Sequence, residues 1–195
     1  SRSTNLKAKI GGIEGRKRGA GDEIGFRSPK TWLPNMAARK LPLPELSSRE
    51  HTLRVVMGPQ DDCFTEEGIS TFLGSAYTIS NEYDRMGCRM EGPVIAHKNG
   101  GDIITDGISF GAVQVPSHGT PIVMMADCQS IGGYTKIATV ITADLPAIGQ
   151  CKAGDEIRFI PVDIMQAQQA YADYYREMEM LKAKFETPVA YRPPR

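Results

Sequence analysis

The sequence lacks the features that mark several large classes of protein. No run of about 18 apolar residues occurs, so the sequence predicts no segment that crosses a bilayer. Its first residues contain no apolar stretch of the kind that a signal peptide requires. Neither sign of charge dominates, with 23 Lys+Arg against 23 Asp+Glu. This balance argues against binding of nucleic acid or an anionic membrane through a bulk electrostatic field.

Cysteine is scarce as well. The four cysteines stand at positions 63, 88, 128 and 151 and form no Cys-x-x-Cys pair. This spacing argues against a compact zinc knuckle, and four cysteines in a chain of 195 residues do not make a disulfide scaffold. The histidines His51, His97 and His118 are equally scattered, and we expect His118 to be a solvated turn residue. We therefore expect reduced thiols, a cytoplasmic location and no metal site.

What the sequence does contain is a β-rich stretch from Gly107 to Asp144. Three runs in it favour strands, at 111–115, 122–126 and 135–142. The first joint, 116–119, places proline early and glycine late, as a hairpin turn requires. The second joint, 127–134, contains the pair Gly132-Gly133, and glycines let a backbone bend or approach a ligand closely. The candidate site is this buried hairpin with its glycine loop.

Two residues of that stretch are the predicted catalytic residues. Asp127 follows an apolar run and can accept a urea-like or amide N–H or act as a general base. Lys136 can hold a carboxylate or, when desolvated, act as a neutral amine. Six further residues are predicted to bind substrate: Arg85, Gln114, Gln129, Gly132, Gly133 and Tyr134. The alternative, in which Asp127 and Gln129 satisfy loop backbone and Lys136 is solvated, stays open.

Backbone amides and guanidinium groups supply the anion-binding chemistry of this hypothesis. The N–H groups of Gly132, Gly133 and Tyr134 are suited to stabilise an oxyanion. Arg85 and Arg89, in the charge-rich segment 81–92, are suited to bind a carboxylate or phosphate. In the alternative, which composition favours, the two arginines pair with Asp84 and Glu91 on the surface.

Local signals predict the elements on either side. A helix is expected between the cap Thr65 and Gly74, with acidic residues in its first turn. A second helix is expected from the cap Asp163 to Phe185, with apolar residues at three- and four-residue steps. Further strands are predicted at 53–57, 76–80 and 156–162. Many short strands, two helices and no βαβ alternation predict a mainly β fold, a barrel or sandwich with flanking helices.

A short segment recurs along the chain. Residues 20–26 read Ala-Gly-Asp-Glu-Ile-Gly-Phe, and residues 153–159 read Ala-Gly-Asp-Glu-Ile-Arg-Phe. Each copy is predicted to be a Gly-Asp turn that leads into a strand. The second copy closes a block that starts near Leu53, whereas the first has only 19 residues before it. We therefore expect two related domains, and a chain that is the C-terminal portion of a longer protein.

The predicted domain boundaries follow from this repeat and from composition. They are 1–32, the end of a truncated first barrel; 33–50, a linker with the extended segment Leu41-Pro42-Leu43-Pro44; 51–163, the second barrel; 164–186, the C-terminal helix; and 187–195, a tail.

Six motifs within residues 1–160 carry a family resemblance. They are Ser1-Arg2-Ser3-Thr4, Gly11-Gly12-Ile13-Glu14-Gly15-Arg16, Asp84-Arg85-Met86-Gly87, Glu91-Gly92-Pro93, and the segments 111–116 and 132–141. Together they resemble the allophanate hydrolase subunit 2 family, also called the biotin-dependent carboxyltransferase C/D family. Two positions depart from the family pattern: Cys88 stands where an aromatic residue is expected, and Cys128 where arginine is expected.

The resemblance implies a fold and a function. Members have two related cyclophilin-like β-barrels, in agreement with the repeat. The function implied first is that of the C-type subunit of 5-oxoprolinase, which acts with partner subunits in the ATP-dependent ring opening of 5-oxoproline to glutamate. One alternative is the carboxyltransferase part of a biotin-dependent urea carboxylase. Another is a non-catalytic regulatory partner of a kinase inhibitor.

The resemblance also implies partners and cofactors. Members work with a subunit 1 family protein, so a hetero-oligomer is expected. The chain contains no nucleotide-binding motif and no Met-Lys-Met biotinylation motif. ATP would therefore be used by the complex at a site outside this chain, and biotin would arrive on another protein.

Overall fold

The computed structural model describes residue 4 and residues 8–25 and 48–186. The expectations for Ser1 to Ser3, for the prolines of the linker and for the tail lie outside these residues. Residues 8–25 and 48–186 fall in separate compact units, and each is described by itself.

The larger unit contains eight strands and three α-helices among its described residues. The strands are β1 Glu50–Met57, β2 Ala76–Tyr83, β3 Gly87–Glu91, β4 Asp102–Gly107, β5 Ala112–Val115, β6 Ile122–Met124, β7 Ile131–Val140 and β8 Glu156–Pro161. The helices are α1 Glu66–Gly74, α2 Leu145–Ile148 and α3 Ile164–Glu186. None of the helices in the described part of the chain is long and apolar enough to cross a bilayer.

Seven of the strands close into a barrel, in the order β1-β8-β2-β3-β6-β5-β7, because β1 pairs with both β8 and β7. The pairing with β8 is parallel, with Leu53 opposite Phe159, and the pairing with β7 is antiparallel, with Val55 opposite Val140. β4 lies outside the ring and pairs with β7. The prediction of a mainly β barrel with flanking helices is therefore confirmed.

Alternating apolar residues build the core of the barrel. Leu53 and Val55 of β1 and Ile157 and Phe159 of β8 are fully buried or nearly so, at every second position of their strands. Each such side chain contributes about 1.5–3 kcal/mol by leaving water. Phe159 also stacks on Phe72 of α1, with 4.6 Å between ring centroids, which anchors that helix to the sheet.

Both long helices begin with the caps predicted from the sequence. The hydroxyl of Thr65 accepts a hydrogen bond from the Gly68 amide at 2.9 Å. The carboxylate of Asp163 accepts from the Gln166 amide at 2.7 Å, and the Gln166 side chain accepts from the Asp163 amide at 3.0 Å. This reciprocal pair is a capping box. The expected C′ role of Gly74 is wrong, since Gly74 is the last helical residue and Ser75 follows it in extended conformation.

Several strands differ from the sequence-based prediction: β3 is predicted only as a charge-rich segment, β1 and β2 are longer than expected, β6 is shorter, and the largest differences are at β7 and β4. β7 begins at Ile131 rather than at 135, so Gly132 and Gly133 lie within a strand and not in a loop. Neither glycine has a positive φ. No strand is predicted from the sequence at β4, because its residues show no alternation of apolar and polar positions. In the structure most of these residues are exposed.

The two copies of the repeat share one turn. Gly21 and Gly154 have φ of 90° and 86°. The amide of Asp22 donates to the Gly19 carbonyl at 3.3 Å, and that of Asp155 donates to the Lys152 carbonyl at 3.1 Å. The predicted strand after the first turn is absent from residues 22–25, where no neighbouring strand is described to pair with it.

Candidate functional site

A cavity of about 330 Å³ opens beside the β2–β3 hairpin. Its wall comes from that hairpin, from β5 and β6, and from β7 and the segment that leads into it. It is lined by Asn81, Glu82, Tyr83, Asp84, Met86, Gly87, Arg89, Gln114, Ile122, Met124, Gln129 and Tyr134. We call it the hairpin cavity. A second cavity of about 360 Å³ shares Asn81, Glu82, Arg89 and Ile122 with it and extends the groove toward His118. His118 is exposed, as predicted.

Gln114 is the most unusual residue of the hairpin cavity. Its side chain is buried, with 1% exposed, and its Nε2 finds no hydrogen-bond partner among the described residues. A buried donor without an acceptor costs about 1–3 kcal/mol. A ligand oxygen that accepts from Gln114 would recover this free energy. A carbonyl, ureido or carboxylate oxygen has the acceptor chemistry that this donor lacks.

A β-bulge shapes the sheet at Gln114. Val113 of β5 pairs with Ala138 of β7, but the next residue, Gln114, pairs with Lys136, so Ile137 is an extra residue on β7. Bulges re-aim side chains and are frequent beside functional sites. On the far side of the bulge, the Lys136 amide donates to the Gln60 side chain at 3.1 Å.

Gly132 is the residue that leaves room for the Gln114 side chain. A Cβ on Gly132 would lie 2.5 Å from Cδ1 of Ile108 and 3.1 Å from Nε2 of Gln114. A Cβ on Gly133 would meet nothing closer than the Ile103 carbonyl oxygen, at an ordinary 3.4 Å. The two adjacent glycines are therefore not equivalent, and only Gly132 is required by the packing of the cavity wall.

Arg85 and Asp127 pair with each other. Nε of Arg85 lies 3.1 Å from Oδ2 of Asp127, and the Asp127 amide donates to the Arg85 carbonyl at 2.8 Å. Both side chains are exposed, at 71% and 47%, so the ion pair contributes at most about 1 kcal/mol. The expected partner of Arg85, Asp84, instead accepts from the amides of Met86 and Gly87 in the hairpin turn. Arg85 therefore forms a surface ion pair, as in the alternative, but its partner is Asp127 and not Asp84.

Arg89 likewise has a partner other than the one expected. Its Nε lies 3.6 Å from Glu82 rather than beside Glu91. Both members of this loose pair line the hairpin cavity. The sequence indicates Arg89 for anion binding, but Arg89, Glu82 and Asn81 are not among the predicted site residues. The alternating charges of the 81–92 segment are the signal that could have found them.

Lys136 is buried and is not among the residues that line the hairpin cavity, although it pairs with Gln114 across the sheet. Its side chain is 3% exposed, and Nζ donates to Oδ2 of Asp106 at 2.8 Å. Nε2 of Gln60 donates to the same oxygen at 3.0 Å. The pKa of Asp106 is lowered, first by the hydrogen bond from Lys136 and then by those from the Gly107 amide and Gln60. The alternative in which Lys136 is solvated is wrong.

The structure thus divides the predicted site residues into groups. Gln114, Gln129 and Tyr134 share the hairpin cavity, and Gly132 packs behind Gln114. Arg85 and Asp127 pair in the adjoining loops, while Gly133 and Lys136 are not among the lining residues. The functional roles assigned to all of these residues stay predictions.

Residues 1–161 match the family model of the carboxyltransferase domain, subdomain A and B, and the chain belongs to this family.

Curated relatives extend this assignment. The chain is 35% identical to the C-type subunit of 5-oxoprolinase from Haemophilus influenzae over 165 residues, which cover 85% of this chain and 52% of that protein. It is 33% identical to the corresponding 5-oxoprolinase subunit of Escherichia coli over 179 residues, which cover 92% of this chain and 56% of that protein. The chain therefore spans about half the length of these curated relatives.

A solved structure shares the fold. The urea carboxylase of Kluyveromyces lactis superimposes with a TM-score of 0.77 at 25% identity, covering 93% of this chain and 18% of that chain.

Proposed function

We propose that this chain is part of a C-type subunit of 5-oxoprolinase and that the hairpin cavity binds its small amide substrate. The similarity to two 5-oxoprolinase subunits of this type supports the assignment. The observation that carries it is the buried side chain of Gln114, a residue that lines the cavity and whose Nε2 has no hydrogen-bond partner among the described residues. In the proposed complex, Nε2 donates to the lactam oxygen of 5-oxoproline.

The other polar groups of the cavity fit the same ligand. The carboxylate of 5-oxoproline can replace Glu82 as the partner of Arg89, whose present ion pair is long at 3.6 Å and exposed. The side-chain amides of Asn81 and Gln129 both donate and accept, so either can receive the lactam N–H. Tyr134 supplies an aromatic wall at the mouth, where its side chain is 42% exposed.

The catalytic roles of Asp127 and Lys136 belong to the proposal. To act as a base, Asp127 must leave Arg85, which is favourable only when another anion takes its place. To hold a substrate carboxylate, Lys136 must exchange Asp106 for it. Both exchanges require a bound ligand. In this proposal the ATP-dependent reaction is carried out in the cytoplasm by the complete assembly, which includes the partner subunits.

A second candidate is the carboxyltransferase reaction of a biotin-dependent urea carboxylase. The family description and the fold shared with the Kluyveromyces lactis urea carboxylase favour it. In this reaction the Gln114 amide would bind a ureido oxygen, of urea or of biotin carried on another protein. The two candidates thus use the same donor for closely related ligands.

The test is turnover by the full-length protein reconstituted with its partner subunits. We expect ATP hydrolysis that depends on 5-oxoproline and is lost when this subunit is omitted. Gln114→Glu replaces the donor with a carboxylate and should lower kcat/KM at least about tenfold, since one lost hydrogen bond of about 1.4 kcal/mol gives that factor. Gln150→Glu, at an exposed position outside the lining, is the matched control.

Two results would redirect the assignment. Turnover with urea and biotinylated carrier, but not with 5-oxoproline, would establish the carboxylase reaction. An intact complex that turns over neither substrate would leave the regulatory binding role and overturn both enzymatic proposals.

A further inference from the structure

A second cluster of chemically active side chains lies outside the hairpin cavity. His51 stands near the start of β1, Cys151 follows α2, and Asp155 directly precedes β8. One potential ligand atom from each residue lies within 4.8 Å of the other two. Cys151 and Asp155 are buried, with 8% and 4% exposed, and His51 is partly buried. None of the three lines the hairpin cavity.

The cluster contains an unsatisfied ring nitrogen. Nε2 of His51 is inaccessible to solvent and has no hydrogen-bond partner among the described residues. The nearest carboxylate oxygen, Oδ2 of Asp155, lies 3.8 Å away, which is too far for a hydrogen bond. The thiol of Cys151 donates to the Ala147 carbonyl at 3.3 Å. Burial raises its pKa to about 11, so the thiol is neutral at ordinary pH.

These separations suit a tetrahedral metal ion. Zn²⁺ binds histidine nitrogen and carboxylate oxygen at about 2.0–2.2 Å and thiolate sulfur at about 2.3 Å, so neighbouring ligand atoms stand about 3.3–3.7 Å apart. The 3.8 Å between Nε2 of His51 and Oδ2 of Asp155 is already close to that value. All three atoms reach tetrahedral spacing if the widest gap closes by roughly 1 Å, which side-chain rotation supplies.

We propose that His51, Cys151 and Asp155 form a binding site for Zn²⁺ or a similar borderline divalent transition metal. Nitrogen, sulfur and oxygen donors together select such an ion over Mg²⁺ or Ca²⁺, which prefer oxygen alone. Binding replaces the thiol proton of Cys151 by the metal and releases that proton to solvent. A thiolate and a carboxylate then balance the two positive charges, so the site carries no net charge.

The surrounding backbone holds the ligands in place. Oδ2 of Asp155 accepts from the Lys152 amide at 3.0 Å. The Asp155 carbonyl accepts from Ile79 at 2.9 Å, and the Gly154 amide donates to the Ile79 carbonyl at 2.9 Å. Such outer contacts orient metal ligands. Three protein ligands leave a fourth tetrahedral position for water or an external ligand.

This site differs from the sequence-based expectation of no metal. His51 and Cys151 are 100 positions apart and meet only because β1 pairs with β8. No local spacing of the kind that identifies a zinc finger could reveal it.

Metal binding by the full-length protein tests the proposal directly. After removal of metal with a chelator, Zn²⁺ is added and the bound ion is counted by mass spectrometry after dialysis. We expect about one equivalent per chain. Co²⁺ in place of Zn²⁺ should give the intense visible bands of a tetrahedral ion together with a thiolate charge-transfer band.

Variants identify the ligands. Cys151→Ser should remove the charge-transfer band, and His51→Gln should weaken Zn²⁺ binding at least tenfold. Cys128→Ser and His118→Gln, at more exposed positions, are the matched controls and should bind as the unaltered protein does. Circular dichroism of each variant shows that the barrel is intact, and His51→Gln alone suffices if Cys151→Ser does not fold.

Two outcomes would overturn the site. One is the absence of stoichiometric Zn²⁺ in the unaltered protein. The other is binding that survives both His51→Gln and Cys151→Ser but falls in His118→Gln, which would identify an adventitious ion on a surface histidine. Neither outcome bears on turnover at the hairpin cavity.

Discussion

The adjacent glycines of β7 provide a matched pair of substitutions. In Gly132→Ala the new Cβ lies 3.1 Å from Nε2 of Gln114, so the amide must move by a few tenths of an ångström. The closer contact, 2.5 Å from Cδ1 of Ile108, is with the end of a flexible side chain and can be relieved by rotation. In Gly133→Ala the nearest atom is at an ordinary 3.4 Å. We therefore expect only Gly132→Ala to disturb the site.

The expected magnitude follows from the bond that is misaligned. A typical hydrogen bond contributes about 0.5–1.5 kcal/mol, so weakening the bond from Gln114 to substrate should lower kcat/KM by about 2- to 13-fold. Gly133→Ala should leave kcat/KM unchanged. It should also raise the free energy of unfolding by up to about 0.5–1 kcal/mol, because alanine loses less backbone entropy than glycine in a strand.

Three measurements test whether Gly132 positions Gln114 for substrate binding. Substrate-dependent ATP hydrolysis gives kcat/KM, urea unfolding gives stability, and the side-chain amide resonances of Gln114 report its position whatever the reaction is. Equal effects of the two substitutions on kcat/KM, or an unshifted Gln114 resonance in Gly132→Ala, would refute the assigned role of Gly132. Unchanged activity together with a shifted resonance would show that Gln114 does not contact substrate.

Three further predictions concern stability. Thr65→Ala removes the cap of α1 and should lower the free energy of unfolding, measured in urea, by about 1 kcal/mol. A change near zero would mean that water replaces the hydroxyl. Phe72→Ala removes the ring that stacks on Phe159 and should lower the free energy of unfolding by about 3–5 kcal/mol in the same assay. A decrease of less than about 1.5 kcal/mol would show that neighbouring side chains fill the cavity. Burial raises the pKa of the Cys88 thiol from 9.0 to about 12, so the thiol of the unfolded chain ionises at lower pH than that of the folded chain. The free energy of unfolding should therefore be at its full value below pH 9.0 and should fall as the pH rises toward 12. Unfolding followed from about pH 8 to 11 should show this loss, and Cys88→Ala should reduce it.

Elements with a local chemical signal were predictable from the sequence. The capping threonine of α1, the Asp163 cap of α3 and the turn at 116–119 all formed where the residues indicated. In that turn the Gly119 amide donates to the Pro116 carbonyl at 2.8 Å, and Gly119 has φ of 83°. These features depend on contacts within four residues, so sequence neighbours alone determine them.

Features fixed by distant contacts were not predictable. The strand β4 exists because β7 offers it an edge, although its Ile104 is 94% exposed and gives no burial signal. The partner of Lys136 is Asp106, 30 positions earlier, and a buried lysine does not indicate which carboxylate will meet it. The sequence pointed to Gln114 through its neighbours, but only the three-dimensional packing shows that its amide is unpaired among the described residues.

The parallel pairing of β1 with β8 has a mechanical consequence. The two strands run side by side from Glu50 opposite Glu156 to Val55 opposite Pro161. The chain enters β1 at its N-terminal end and leaves β8 for α3 at the C-terminal end of β8. Tension between these two points therefore shears the whole ladder at once and does not peel it open bond by bond. The barrel should resist stretching along this direction far better than tension applied across a hairpin such as β2–β3.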